Sequence, residues 1–154
     1  MPRPVLQFFE HYQQKHNFVT KDDAHGEPDS TPETFDRLCK HMKWTKAERR
    51  KYRLKLSEAV SESVRSKFDC NKLESAQQVC RLLCPKEPVP QSLNAAKKML
   101  AKVFINIFDF VDGYYNVRFA NVRALAKYSK KHHKIFPKEA AKNSSVRVLL
   151  KMLF

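Results

Sequence analysis

The chain has 154 residues and carries 30 Lys and Arg against 16 Asp and Glu, a net charge of +14. This length suits a single domain that buries its own core, and no apolar run reaches the roughly 18–20 residues of a membrane span. The four cysteines come without an apolar export signal, so we expect reduced thiols in an intracellular protein.

Apolar residues recur at helical spacing along nearly the whole chain, and only two glycines interrupt it. We expect an all-α fold, a single domain over 1–154 built as a bundle of about six to seven helices. One short extended segment is expected near 116–120. The acidic stretch 17–30 is predicted to be a loop. The helices are predicted at 4–16, 31–42, 46–68, 71–84, 92–111 and 122–131, with a last one that starts at Ser144 or Ser145 and includes Leu153.

Local signals indicate where several helices start. Thr31 precedes Pro32, which is typical of an N-cap followed by proline at the first helical position. Thr45 and Glu48 have the spacing of a capping box, and Asn121 is the predicted cap of the helix at 122–131.

The segment 92–111 is apolar on nearly every side of the helix that it would form, which is typical of a buried helix. We therefore expect it to be the continuous central helix of the bundle. Asp109 lies within this apolar run, and a buried carboxylate needs a donor or a cation. Lys102 and a tyrosine hydroxyl are the expected partners, in a structural rather than catalytic role.

The order of aromatic and apolar motifs also resembles a family of small helical proteins from filamentous fungi without an assigned activity. The motifs are FFEHY, TFDRLCKHMKW, a long basic helix, VCRLL, PVPQSL, NIFDFVD, KIFPKEAAKN and LLKML. The resemblance covers almost the whole chain and implies one helical domain with no catalytic residue to carry over. The chain departs from the pattern at 75–79, where the family would have a tryptophan.

Basic residues form a first candidate binding site on the predicted helix at 46–68. They recur at the i, i+3, i+4, i+7 spacing of one helix face, where they could contact successive phosphates of a nucleic acid. The alternative is a solvated face that keeps a basic protein soluble. The residues are Lys46, Arg49, Arg50 and Arg53.

A second candidate site lies in residues 112–154, which carry 10 basic and 2 acidic side chains. Such clustering without acidic neighbours is typical of a site for a polyanion, and the run 130–134 also resembles a nuclear-localisation patch. The candidate residues are Arg123, Lys127, Lys130, Lys131, Lys134 and Lys138. Lys142 and Lys151 belong to the same basic stretch.

Metal and cofactor sites are not expected. Adjacent His132 and His133 seldom point at one ion, and Cys80 and Cys84 lack the paired short spacing of zinc sites. Tyr114 and Tyr115 could stack on unpaired bases, although packing over the end of the central helix is the other interpretation.

No nucleotide-binding, zinc-protease or nucleophile motif is present in the sequence, so we expect a binding protein and not an enzyme. The first hypothesis is a module that contacts DNA or RNA phosphates non-specifically, in the nucleus rather than the cytoplasm. The alternative is a protein–protein adaptor that engages an acidic partner. The sequence does not indicate an oligomeric state.

Overall fold

A computed structural model of the chain describes residues 1–21, 28–141 and 144–150. The middle of the predicted loop at 17–30 lies outside these ranges, as do Lys142, Lys151 and Leu153. The elements are α1 Arg3–His16, α2 Thr31–His41, α3 Lys46–Lys67, α4 Leu73–Leu83, α5 Leu93–Ala101, β1 Phe104–Ile105, α6 Ile107–Asp112, β2 Arg118–Phe119, α7 Val122–Lys131, a 3₁₀ turn Lys138–Ala140 and α8 Ser144–Leu150. The predicted all-α fold class is confirmed.

Several helices begin where a side chain accepts from one of the first backbone amides. The capping box of α3 is present: the Thr45 hydroxyl accepts from the Glu48 amide, and the Glu48 carboxylate accepts from the Thr45 amide. The Asn121 side chain likewise accepts from the Ala124 amide at the start of α7. Both predicted caps are therefore confirmed, as are the bounds of α7.

The predicted cap of α2 is wrong by one residue. Ser30 is the N-cap, and Glu33 accepts from both its amide and its hydroxyl. Thr31 is instead the first helical residue. Its amide and hydroxyl donate to the Asp112 carboxylate at 2.8 and 2.5 Å, which ties the start of α2 to the end of α6. A carboxylate at a helix N-terminus also complements the helix dipole.

The continuous central helix predicted at 92–111 is wrong. The segment is divided into α5, β1 and α6. The first helix ends at Ala101, and Asn106 starts α6, since its backbone is extended (φ −76°, ψ 138°) and its side-chain oxygen accepts from the Phe108 amide. Asparagine competes with helix continuation in this way when it can cap a new helix. The prediction that the segment is buried is right for α6, where every residue from 107 to 111 is buried.

The strand β1 between α5 and α6 pairs with β2, which follows α6, in a small antiparallel sheet, and the sequence predicted only β2. Phe104 is paired with Phe119, and Ile105 with Arg118. The strand β2 confirms the extended segment expected near 116–120, whereas β1 was expected to be helical. This short sheet connects the α5–α6 junction to the start of α7.

The hydrophobic core extends from Val5 in α1 to Leu150 in α8. The helix α3 packs against α1, α6, α8 and the 3₁₀ turn, so it lies at the centre of these elements. Fully buried side chains such as Phe9, Phe68 and Phe108 each stabilise the fold by about 1.5–3 kcal/mol. Among the described residues, no helix combines the length and the apolar character that crossing a membrane requires.

Candidate nucleic-acid interface

The first predicted basic site lies at the start of α3. Lys46, Arg49 and Arg50 are exposed. The first fully buried residue of the helix is Leu56. The Arg49 Nε donates to the Trp44 carbonyl at 3.2 Å, which holds that side chain against the helix start. The three positive charges therefore face solvent on one side of α3, as the spacing predicted.

Arg53 has a different environment from its three neighbours on α3. It is half-buried, and its Nη2 donates to the carbonyls of His133 and Ile135 at 2.6 and 3.0 Å. Burial lowers the pKa of Arg53, but a guanidinium stays protonated in proteins. Arg53 thus links α3 to the segment that follows α7, which brings the two predicted basic sites together.

The helix α7 carries the second site on its outer face. Leu125 and Ser129 are buried, and the Ser129 hydroxyl donates to the Leu125 carbonyl at 2.8 Å. The exposed positions recur at i, i+4, i+7 and i+8, which places them on one side of a helix. They are Arg123, Lys127, Lys130 and Lys131.

The structure removes Lys134 from the predicted surface. Its side chain is 11% exposed, and its Nζ lies 2.6 Å from the Asp109 carboxylate, which is itself 1% exposed. Nζ also donates to the Tyr128 hydroxyl at 2.9 Å. Lys134 was predicted to belong to the same basic site as Lys130 and Lys131, but the chain turns inward after α7 ends at Lys131.

The turn after α7 explains this inward direction. His133 has a left-handed backbone (φ 54°), and the Lys134 amide donates back to the Ser129 carbonyl at 2.8 Å. This is the hydrogen bond of a Schellman-type helix end. It turns the next side chain away from the stripe formed by Lys130 and Lys131.

Asp109 therefore has a cation as its partner, but this cation is Lys134 and not the expected Lys102. The expected tyrosine hydroxyl, that of Tyr128, is present in the same cluster. Burial opposes the charge on Lys134, yet the hydrogen bonds to Asp109 and Tyr128 outweigh it and raise the pKa of Lys134. Asn106 completes the polar cluster by donating to the Ser129 hydroxyl and the Lys134 carbonyl, both at 2.9 Å. Oδ2 of Asp109 has no hydrogen-bond partner among the described residues.

Lys138 starts the 3₁₀ turn and is exposed. Its neighbour Glu139 lies 3.9 Å from Arg50, in a pair whose side chains are 88% and 64% exposed. Exposed pairs of this kind contribute little to stability. The contact nevertheless places the 3₁₀ turn beside the basic start of α3, so Lys138 lies close to the first site.

Some of the other candidate ligands are used in packing, whereas Tyr114 and His133 are exposed. The His132 ring lies 4.6 Å from that of Tyr128, and the Tyr115 ring lies 5.7 Å from that of Phe110. Burial raises the pKa of the Cys80 and Cys84 thiols, which disfavours the thiolates that zinc requires. Within the ranges that the structure describes, no three His, Cys, Asp or Glu side chains are grouped to hold a metal ion.

Comparison of the chain with protein families, with curated proteins and with solved structures finds no match. The resemblance to small fungal proteins therefore stays a prediction, and the candidate interface is interpreted from its own geometry and charge.

Proposed function

We propose that this chain is a helical binding module, and not an enzyme, that contacts nucleic-acid phosphates without reading their sequence. The contacts are made by the exposed cations of α3, α7 and the 3₁₀ turn, called the basic surface below. The observation that carries the proposal is the pair of hydrogen bonds from Arg53 to His133 and Ile135, which joins the two basic stretches. The basic surface consists of Lys46, Arg49, Arg50, Arg123, Lys127, Lys130, Lys131 and Lys138.

The charge of these residues is suited to a polyanion. Within the described part of the chain, the only carboxylate that pairs with the basic-surface residues of α3 and α7 is Glu139, at 3.9 Å from Arg50. Lysine and arginine side chains account for most of the sequence-independent affinity for nucleic acid, because each phosphate contact releases condensed counterions. The basic run at 130–134 also favours a nuclear location, although Lys134 is turned inward.

The first test is a salt titration of nuclease-treated protein with a short duplex DNA, the corresponding single strand and the corresponding RNA. We expect log affinity to fall linearly with log salt concentration, with a slope of about −0.9 for each phosphate contacted on the duplex. Binding of none of the three probes at about 50 mM salt would refute the proposal, because electrostatic attraction is strong under that condition.

A charge-reversal variant tests the site itself. In Lys130→Glu/Lys131→Glu we expect weaker binding to the duplex and a salt slope that is smaller in magnitude by about 2. The matched control is Lys72→Glu/Arg81→Glu, which makes the same change of charge at two exposed residues, the N-cap and the last turn of α4. The exposed pair that Lys72 forms with Asp69 at 3.6 Å contributes little to stability. Equal losses in the two variants would show a response to net charge alone. Lys134 is left unchanged, because its reversal would break the ion pair with Asp109.

A further inference from the structure

A second surface feature lies away from the residues of the basic surface. It is an open groove of about 830 Å³ between the end of α4, the outer side of α5 and the small sheet. Ligand sites commonly have volumes of about 300–1,000 Å³, so the groove is large enough for a segment of a partner. None of the residues assigned to the basic surface lines it.

The floor of the groove is apolar and partly open to solvent. Met99, Val103, Phe104 and Phe119 line it, and each is half-buried in the described chain. Contiguous apolar surface that is left open at the bottom of a concave site is typical of an interaction site. The unbranched Met99 side chain also adapts to the shape of what it contacts.

The walls of the groove are positive. Lys86, Lys98 and Lys102 are exposed along it, and Glu87 is the one acidic residue in the lining. Lys98 and Lys102 are four residues apart, at the end of α5 and its C-cap, so they lie on the same side. Among the residues that the structure describes, none of the three lysines has a carboxylate within 4 Å.

A fourth cation is fixed in place. Arg118 lines the groove and donates through Nη1 to the Leu83 carbonyl at the end of α4. This contact satisfies an otherwise free carbonyl of the helix terminus and holds the guanidinium against the wall. A cation that is already ordered loses less side-chain entropy when an anion binds to it.

We propose that this groove binds an acidic peptide segment of a partner protein, in which aspartates or glutamates flank at least one large apolar side chain. The apolar residue packs on the floor, and the flanking carboxylates pair with the lysines of the walls. A nucleic-acid strand is a poorer fit: the floor is partly aliphatic, and the Phe119 ring already packs against Tyr128 with centroids 4.7 Å apart. Base stacking requires an open aromatic face.

The experiment measures fluorescence anisotropy with a labelled probe peptide, Glu-Glu-Leu-Phe-Glu-Glu-Leu-Glu. Its control peptide has serine in place of the leucines and the phenylalanine. We expect the probe to bind the unaltered chain at least about tenfold more tightly than the serine peptide, because only the probe can use the floor. Equal binding of the two peptides, or no binding of the probe, would overturn the proposal.

Two variants address the walls and the floor separately. Lys98→Glu/Lys102→Glu and Met99→Glu should each weaken probe binding by at least about tenfold, whereas Lys130→Glu/Lys131→Glu should change it by less than about twofold. The last variant separates this site from the basic surface, so either proposal can fail alone. An equal loss in all three variants, or displacement of the probe by a single-stranded oligonucleotide that binds the groove, would overturn the peptide assignment.

A measurement on the unaltered chain avoids any folding defect in the variants. Cys84 is half-buried and lines the groove, whereas Cys39 and Cys80 are buried in the core. Saturating probe peptide should slow the alkylation of Cys84 by N-ethylmaleimide, followed by mass spectrometry, and the serine peptide should not. Unchanged alkylation of Cys84 under saturating peptide would contradict binding in the groove.

Discussion

Lys131 and Lys134 lie three residues apart in the same basic tract, yet they have opposite roles. Lys131 is exposed at the end of α7, whereas Lys134 is paired with the buried Asp109 at 2.6 Å and is 11% exposed. The difference shows that a run of basic residues does not act as a unit. Some of its side chains are exposed and can contact a ligand, and others form ion pairs that stabilise the fold.

Arg50 and Arg53 on α3 repeat this division. The Arg50 side chain is 88% exposed beside Glu139, whereas Arg53 donates two hydrogen bonds to the backbone after α7. In each pair, the residue that faces solvent belongs to the candidate interface, and the one that faces the protein positions that interface. Three experiments sharpen this contrast.

The largest effect is expected for Lys134→Met, which leaves the Asp109 carboxylate buried without its cation. Breaking a buried ion pair in this way typically destabilises a protein by about 3–5 kcal/mol, to be measured by urea unfolding. Lys131→Met is the matched control, with an expected change within about 0.5 kcal/mol because its side chain is exposed. Adding Asp109→Leu to Lys134→Met should recover most of the loss. A double variant no more stable than Lys134→Met would contradict this account of the pair.

A smaller effect is expected for Arg53→Met. The carbonyls of His133 and Ile135 lose a charged donor, which should reduce the free energy of unfolding by about 1.5–3 kcal/mol. Hydrogen exchange at the amides of residues 133–135 should become faster. Lys46→Met serves as the control, with a change within about 0.5 kcal/mol. If exchange in this segment stays at the wild-type rate, Arg53 does not hold the two basic stretches together.

The smallest effect is expected for the surface pair of Arg50 and Glu139. A double-mutant cycle with Arg50→Ala and Glu139→Ala should give a coupling free energy of no more than about 0.5 kcal/mol, because both side chains are well exposed and screened by water. A coupling energy above about 1 kcal/mol would show that the contact stabilises the fold, and Arg50 would then be grouped with Arg53.

Much of the fold could be predicted because its signals are local. The bounds of α7, the capping box at Thr45 and the extended segment around Arg118 and Phe119 each depend on a few neighbouring residues. The central segment could not be predicted in the same way, since its apolar residues are compatible with one long helix. The signal for its interruption was Asn106, a capping residue within an apolar run, and it was outweighed by the periodicity.

The candidate site could be predicted only as a set of charges. Spacing along a helix correctly placed Lys46, Arg49 and Arg50 in solvent, but the clustering of basic residues also assigned Lys134 to the second site. The left-handed turn at His133 ends that face, and nothing in the basic tract alone distinguishes Lys134 from Lys131. Lys134 is buried because Asp109, which lies in an apolar helix, needs a cation. Sequence spacing could not identify which lysine supplies it.

The hydrogen bonds from Thr31 to Asp112 span 81 residues. During synthesis, the carboxylate that accepts from the first amide of α2 is made long after α2 itself. The start of α2 therefore cannot complete its docking on α6 until residue 112 has emerged, whereas the hydrogen bonds within α2 can form before that.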